Sequence, residues 1–178
     1  MVIQISQAVM DTSSLISLEV IDILELTSEN IEIIVPSAVV EELREMSKIS
    51  DREGEVAEDI LALISKEKIS VVEVDSEKVR KITSSQVEKG EASCFVHCYE
   101  KGVRNLIMDD IEAASQLEGR TIKEGIRQKI SVAVIIELMK KELITKEEAE
   151  SAVEKLKKTR DWRGGVLEAL ADKYLSNE

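Results

Sequence analysis

The sequence predicts a three-layer α/β/α fold with a central parallel sheet of four to five strands, followed by a C-terminal helical extension. Three observations support this. Over the first two thirds of the chain, short runs of apolar, often β-branched residues alternate with amphipathic helical stretches, which is typical of a parallel sheet covered on both faces. The last third carries only helical patterns. No disordered linker precedes that third, so we expect it to pack on the same domain.

The elements of the first half follow from local patterns. A strand ends at Asp11, and the polar residues that follow it are suited to capping a helix. Pro36 ends the second strand, because proline cannot extend a ladder of hydrogen bonds, and Ser37 begins the next helix. The predicted strands are 7–10, 31–35 and 69–74, and the predicted helices are 15–26, 37–46 and 51–64.

The second half is predicted in the same way. Residues 76–84 are helical or irregular, and a helix follows Gly90 as far as Gly102, a typical helix-ending residue. Thr145 and Glu148 have the spacing of a capping box. The remaining predictions are strands at 104–108 and 120–122, a short helix at 112–117, an apolar helix at 131–139 and a terminal helix to about 175.

We therefore predict a domain over residues 1–124 and a helical extension over 125–178. The run Val132–Met139 is too apolar to be exposed. It indicates core packing, with a dimer interface as the alternative.

Composition narrows the classes of function. The net charge of −12 argues against broad electrostatic binding of nucleic acid, although metal ions can reverse the local charge of an acidic centre. Aromatic residues make up only 2% of the chain, which disfavours a base-stacking platform. Without a visible signal peptide or an apolar run near 20 residues, we expect a soluble cytoplasmic protein with reduced thiols and no membrane contact.

Acidic residues follow two predicted strands and lie near the starts of two predicted helices. They are Asp11, Glu41, Glu42, Glu91, Asp109 and Asp110. Carboxylates that gather at one point repel each other, and Mg²⁺ or Mn²⁺ relieves that repulsion through oxygen ligands. Taken singly, each acid is more often a helix cap or a solvated charge. The pattern as a whole predicts a divalent-metal site, in which an activated water could attack a phosphodiester.

Four short motifs occur in an order and spacing that resemble a known family. They are Val9-Met10-Asp11-Thr12-Ser13, Val35-Pro36-Ser37-Ala38-Val39-Val40-Glu41-Glu42-Leu43, Gly90-Glu91-Ala92-Ser93 and Leu106-Ile107-Met108-Asp109-Asp110. Together they resemble the successive motifs of the PIN domain family over about residues 6–122. Many members are VapC-type toxins, which are metal-dependent ribonucleases. The Gly-Glu-Ala-Ser form and the helical tail resemble a prokaryotic branch of predicted nucleic-acid-binding PIN proteins.

The resemblance implies four catalytic and metal-binding acids: Asp11, Glu42, Glu91 and Asp110. Glu42 matches the family pattern better than Glu41, and Asp110 fits slightly better than Asp109, which is kept as a further metal ligand. The resemblance also implies a PIN-like fold, Mg²⁺ or Mn²⁺ as cofactor, an RNA substrate and a homodimer. For a toxin, it implies an antitoxin partner.

Rival interpretations remain at this point. A catalytically silent PIN-like scaffold that binds RNA or protein fits the acidic composition, and a flavodoxin-like signalling domain is weaker because its phosphorylatable aspartate is not evident. Cys94, His97 and Cys98 have the spacing of zinc ligands on one helix, but buried small side chains are the simpler interpretation. Among the basic residues, Arg120 is favoured for a phosphate contact.

Overall fold

The computed structural model describes residues 4–176 of the 178-residue chain. This described part contains ten helices and five strands. In chain order they are β1 (Gln7–Met10), α1 (Thr12–Glu19), α2 (Leu24–Asn30), β2 (Glu32–Pro36), α3 (Ser37–Met46), α4 (Arg52–Ser65), β3 (Ser70–Val72), α5 (Ser76–Ile82), α6 (Lys89–Lys101), β4 (Asn105–Ile107), α7 (Ile111–Glu124), β5 (Arg127–Lys129), α8 (Val132–Lys140), α9 (Lys146–Thr159) and α10 (Val166–Ser176).

The strands form one parallel sheet in the order β3-β2-β1-β4-β5. The chain adds strands on one side of β1 as far as β3, then returns to add β4 and β5 on the other side. The carboxyl ends of β1 and β4 therefore flank the topological switch point, where open α/β sheets form their binding crevice. Since Met10 pairs with Ile107, Asp11 and the acids after β4 leave the sheet at neighbouring points.

Helices cover both faces of this sheet. Ala8, Val9 and Met10 are all fully buried, and because successive strand residues point to opposite faces, neither face of β1 is open to solvent. Helix α6 packs against β1, β2 and β4, whereas α2 packs against β2 and contacts α8. The predicted α/β fold with helices flanking a parallel sheet is confirmed.

The predicted edge strand at 120–122 is wrong. Those residues lie in α7, which continues to Glu124 and ends at Gly125, whose φ of 66° breaks the helical path. The fifth strand is β5 instead, and it pairs with β4. Its sequence, Arg-Gln-Lys, is polar and half-buried, as an edge strand permits, so it carries no apolar alternation that would predict it.

Two further boundaries differ from the prediction. The helix expected over 15–26 is divided into α1 and α2, and Asp22 between them has a positive φ of 61°. The helix expected at 112–117 is the longer α7. The apolar spacing continues across the break between α1 and α2, because both helices bury side chains in the same core.

The C-terminal third packs on the rest of the chain. Helix α8 buries Val132, Val134, Ile135 and Leu138 completely, so the apolar run is core within this chain. It contacts α2, α9 and α10. Strand β5 follows residue 124 but belongs to the sheet. The division of the chain into a domain over 1–124 and an extension over 125–178 stays a prediction. Within residues 4–176, no helix has both the length and the apolar character needed to cross a bilayer.

Candidate functional site

Asp11 lies at the centre of the site, directly after β1. It caps α1: Oδ1 accepts a hydrogen bond from the Ser14 N–H at 2.9 Å, and Oδ2 accepts one from the Ser13 hydroxyl at 2.7 Å. The side chain is buried. Burial raises the pKa of Asp11 to about 7, with a smaller contribution from nearby Asp109 and opposition from the serine hydrogen bonds.

Ser13 links the two central strands. Its hydroxyl donates to Asp11 and accepts a hydrogen bond from the Asp109 N–H at 3.2 Å. This hydroxyl joins the ends of β1 and β4, as do the hydrogen bonds from the Asp11 N–H and the Ser14 hydroxyl to the Ile107 carbonyl oxygen. It also orients the Asp11 carboxylate.

Glu42 joins three helices. From α3, its Oε2 accepts a hydrogen bond from the Thr12 hydroxyl on α1, and its Oε1 accepts one from the Gly90 N–H on α6 at 3.1 Å. Burial raises its pKa, while the Thr12 hydrogen bond opposes that rise. The preceding residue, Glu41, is exposed and forms an ion pair with Lys89 at 2.8 Å.

Gly90 permits the close approach of Glu42. A Cβ atom on Gly90 would lie 2.8 Å from Glu42 Cδ, closer than real Cβ contacts. The residue before Glu91 is therefore a glycine for a steric reason. A larger residue there would displace the Glu42 carboxylate, which projects from α3.

Glu91 approaches the same region from the first turn of α6. In a capping box with Glu88, its Oε2 accepts a hydrogen bond from the Glu88 N–H at 2.6 Å. Burial raises the pKa of Glu91 to about 7, and the nearby charges of Asp110 and Asp11 also raise it. The acids of three chain segments are thus close enough to influence each other's ionisation.

The two acids after β4 face different surroundings. Asp109 is buried, and its Oδ1 accepts a hydrogen bond from the Ser131 N–H at 2.7 Å. Burial raises its pKa, which the hydroxyls of Ser17 and Ser131 oppose. Asp110 is exposed and caps α7 by accepting from the Ala113 N–H at 2.9 Å.

An open cavity of about 590 Å³ lies over the carboxyl ends of the strands. Asp11, Glu42 and Glu91 all line it. A neighbouring cavity of about 440 Å³ is lined by Asp109 and Asp110. The structure therefore gathers four of the six predicted acids, including the exposed Glu41, around one cavity and places the other two in the adjoining one.

The chemistry of these side chains fits a hard divalent cation. All are carboxylates, the ligands that Mg²⁺ and Mn²⁺ prefer. Burial, with smaller contributions from neighbouring acids, raises the pKa values of Asp11 and Glu91, and a bound cation would favour their charged forms. Among the described residues, no three acidic, histidine or cysteine side chains are close enough to enclose an ion directly. Mg²⁺ commonly binds through one or two carboxylates and keeps several waters, so a cation of this kind does not require an enclosing group of three ligands.

The tertiary structure shows where two basic residues lie relative to the acids. Arg120 lies in the second half of α7 and lines a separate cavity with Tyr99 and Lys123, away from the carboxylates. Arg160 lies at the end of α9 and lines both cavities at the switch point. No local pattern predicts this, because contact between the tail and β1 depends on the fold.

The cysteines are core residues. Cys94 and Cys98 are buried and unpaired, and burial raises the pKa of both thiols. The Cys94 thiol donates to the Met10 carbonyl oxygen at 3.5 Å. Since no metal-binding group of residues occurs in the described part, the zinc interpretation receives no support.

A family model described as a PIN domain matches the chain over residues 7–173. No curated protein matches it.

Proposed function

Because a family model matches nearly all of it, the chain belongs to the PIN domain family, and from that premise we propose that it is a metal-dependent endoribonuclease. PIN domains are generally nucleases that use divalent metal ions and bind nucleic acid. The observation that carries the proposal is the common cavity lined by Asp11, Glu42 and Glu91, which come from three separate chain segments.

In this proposal, Asp11, Glu42, Glu91 and Asp110 hold one or two Mg²⁺ or Mn²⁺ ions. Asp109 is a further candidate ligand, although its Oδ1 already accepts from the Ser131 N–H. When bound, such an ion lowers the pKa of a water molecule and stabilises the leaving oxygen of a phosphodiester.

The protein's own contribution is orientation. Ser13 and Ser14 fix Asp11, Thr12 and Gly90 fix Glu42, and the Glu88 N–H fixes Glu91. These hydrogen bonds hold each carboxylate in place before an ion or substrate arrives, so little reorganisation is needed during the reaction. Attack on the phosphodiester by water would be in line and would form no covalent intermediate with the protein.

The test is cleavage of labelled single-stranded RNA in Mn²⁺ or Mg²⁺. Asp11→Asn should lower the rate by more than about 100-fold, beyond the 10–100-fold typical of outer-sphere partners. Circular dichroism should show an unchanged fold. Full activity in this variant would refute the assigned centre.

A catalytically silent PIN scaffold is the second candidate. The net charge of −12 and the lack of an enclosed three-ligand group among the described residues favour it. Calorimetric titration with Mn²⁺ separates the two candidates: the nuclease should bind at or below millimolar concentration, whereas no heat of binding would favour the scaffold.

The toxin role is a narrower part of the proposal, with an antitoxin as partner. A small, overlapping upstream reading frame that encodes a DNA-binding fold with a basic tail would support it. The homodimer and the cytoplasmic location stay predictions, and light scattering of the purified protein would test the former.

A further inference from the structure

Arg160 occupies the boundary between the two acidic cavities. In the described part of the chain, it and Ser13 are the residues that line both. Its backbone caps the end of α9, and its side chain is only 20% exposed. The C-terminal extension thus places the positively charged Arg160 side chain near the carboxyl ends of β1 and β4.

The Arg160 guanidinium has few partners for a group with five N–H donors. Nη1 lies 3.4 Å from Glu53 Oε1, which is a long contact. Nε is buried and has no hydrogen-bond partner among the described residues. Buried polar groups in proteins are nearly always satisfied, so a ligand oxygen would supply the acceptor that this donor lacks. Asp109, whose Oδ2 is also buried without a hydrogen-bond partner, is an acid whose charge Arg160 already influences.

The surrounding charge identifies the kind of ligand. Of the two basic residues of the described chain that line the larger cavity, Lys89 is paired with Glu41 at 2.8 Å. Arg160 is held less tightly, by the 3.4 Å contact with Glu53, and its charge also lies near Asp109. The nearby carboxylates would repel a free anion, but a phosphodiester neutralised by divalent ions can enter. The planar guanidinium fork matches two phosphate oxygens.

We propose that Arg160 binds a backbone phosphate of the RNA strand, next to the scissile one, where the strand passes from the larger cavity into the smaller. This inference rests on the proposed ribonuclease function. The extension is then part of the substrate-binding surface rather than a structural appendage.

The chain around Arg160 is built to hold it in place. Trp162 is buried, and its backbone N–H donates to the Lys157 carbonyl oxygen at 3.0 Å. Asp161 between Arg160 and Trp162 has a positive φ of 54°. The buried indole therefore anchors the turn after α9, and the guanidinium projects from a fixed backbone.

The experiment measures binding of a short labelled single-stranded RNA to the protein with Asp11 intact over a series of NaCl concentrations, with Ca²⁺, which also takes oxygen ligands, in place of Mg²⁺ so that cleavage is slow. Adding Arg160→Met should weaken binding about tenfold. It should also lower the slope of log affinity against log salt by about 0.7, the value for one phosphate contact on a single strand. Arg160→Lys keeps the positive charge but lacks the planar guanidinium. It should keep the slope of log affinity against log salt and lose part of the affinity for RNA.

Two matched controls separate this role from a structural one. Arg163→Met removes an exposed arginine from the same turn and should leave affinity and slope within twofold. Glu53→Gln removes the Arg160 ion pair but keeps Arg160. If Arg160 only tethers α9 to α4, Glu53→Gln will reproduce the loss seen with Arg160→Met, and the proposal is overturned.

The remaining outcomes are also decisive. Unchanged affinity and slope in the Arg160→Met protein, with the parent binding RNA, would overturn the assignment of Arg160 alone. Absence of RNA binding and RNA cleavage by the wild-type protein would instead overturn the proposed function. A thermal melt of each variant confirms that the proteins compared are folded.

Discussion

At the scale of single residues, the site depends on tight steric and hydrogen-bond complementarity. Glu42 reaches its position only because Gly90 has no side chain. Asp11 is held by two serines that follow it closely in sequence. Both carboxylates have raised pKa values because burial disfavours their charged forms, and a bound cation would favour those forms.

Gly90→Ala tests the steric role of the glycine. The added methyl group should displace the Glu42 carboxylate and lower both Mn²⁺ affinity and the rate of RNA cleavage by at least about tenfold, as for outer-sphere changes. Calorimetry and the cleavage assay measure these effects.

Gly119→Ala is the matched control, because Gly119 lies in α7, where an added methyl group would meet no atom within 4 Å. Alanine is the better helix former by about 1 kcal/mol, so this variant should gain stability and keep its activity. Equal losses in the two variants would contradict the steric argument.

The raised pKa of Asp11 predicts how stability depends on pH. Burial raises it from 3.8 to about 7 in the folded protein, so between these values the folded state binds more protons than the unfolded chain. The free energy of unfolding of the metal-free protein should therefore fall as pH rises from about 4 to about 7.

Thermal melts at pH 5 and pH 8 in a chelator test this dependence. Asp11→Asn should have a smaller decrease in Tm between the two pH values than the wild-type protein. Millimolar Mg²⁺ should raise the wild-type Tm at pH 8 through preferential binding to the folded state. Parallel pH curves for the two proteins would show that Asp11 does not titrate as described.

At the scale of elements, the rotation of α3 distinguishes two adjacent glutamates. Consecutive helix residues point about 100° apart. Glu42 consequently faces α1 and α6, whereas Glu41 projects outward to Lys89. Helix α3 thus directs the Glu42 carboxylate into the protein and places the ion pair of Glu41 with Lys89 at the surface.

Substituting each of these glutamates by glutamine tests which of the two is the metal ligand. Glu42→Gln should lower RNA cleavage by more than about 100-fold if Glu42 is a metal ligand. Glu41→Gln removes only an exposed ion pair, of the kind worth at most about 1 kcal/mol, and should keep activity within a few-fold. The reverse order of effects would assign the ligand to Glu41.

At the scale of the whole molecule, the extension completes both the core and the sheet. Val134 and Ile135 of α8 belong to the same core cluster as Val9 of β1, and β5 pairs with β4. A chain ending at residue 124 would expose β4 as an edge and open the core to water.

Truncation tests this dependence. The full chain should unfold in one cooperative transition, and a chain ending at residue 124 should lack it in circular dichroism. A chain ending at Gly165 is the control. It loses only the segment that contains α10, whose buried residue is Ala171, and should fold with a lower Tm. A folded 1–124 fragment would show that the extension is dispensable.

The sequence by itself determined the fold class and most elements, because apolar periodicity, helix caps and residues such as Pro36 and Gly102 act locally. It also singled out Asp11, Glu42, Glu91, Asp109 and Asp110, which lie at strand ends and helix starts in motifs that resemble a family. It did not single out Glu45, Glu53 and Glu88, which also line the larger cavity. The polar strand β5 escaped prediction because an edge strand needs no apolar alternation.

Only the tertiary structure decided which side chains meet. The return of the chain from β3 to β4 brings Asp11 beside Asp109, and the packing of α9 and its following turn brings Arg160 to both cavities. The rotation of α3 directs Glu42 towards Thr12 and Gly90. These placements depend on strand order and helix orientation, which arise from contacts between residues far apart in sequence and so leave no local pattern to read.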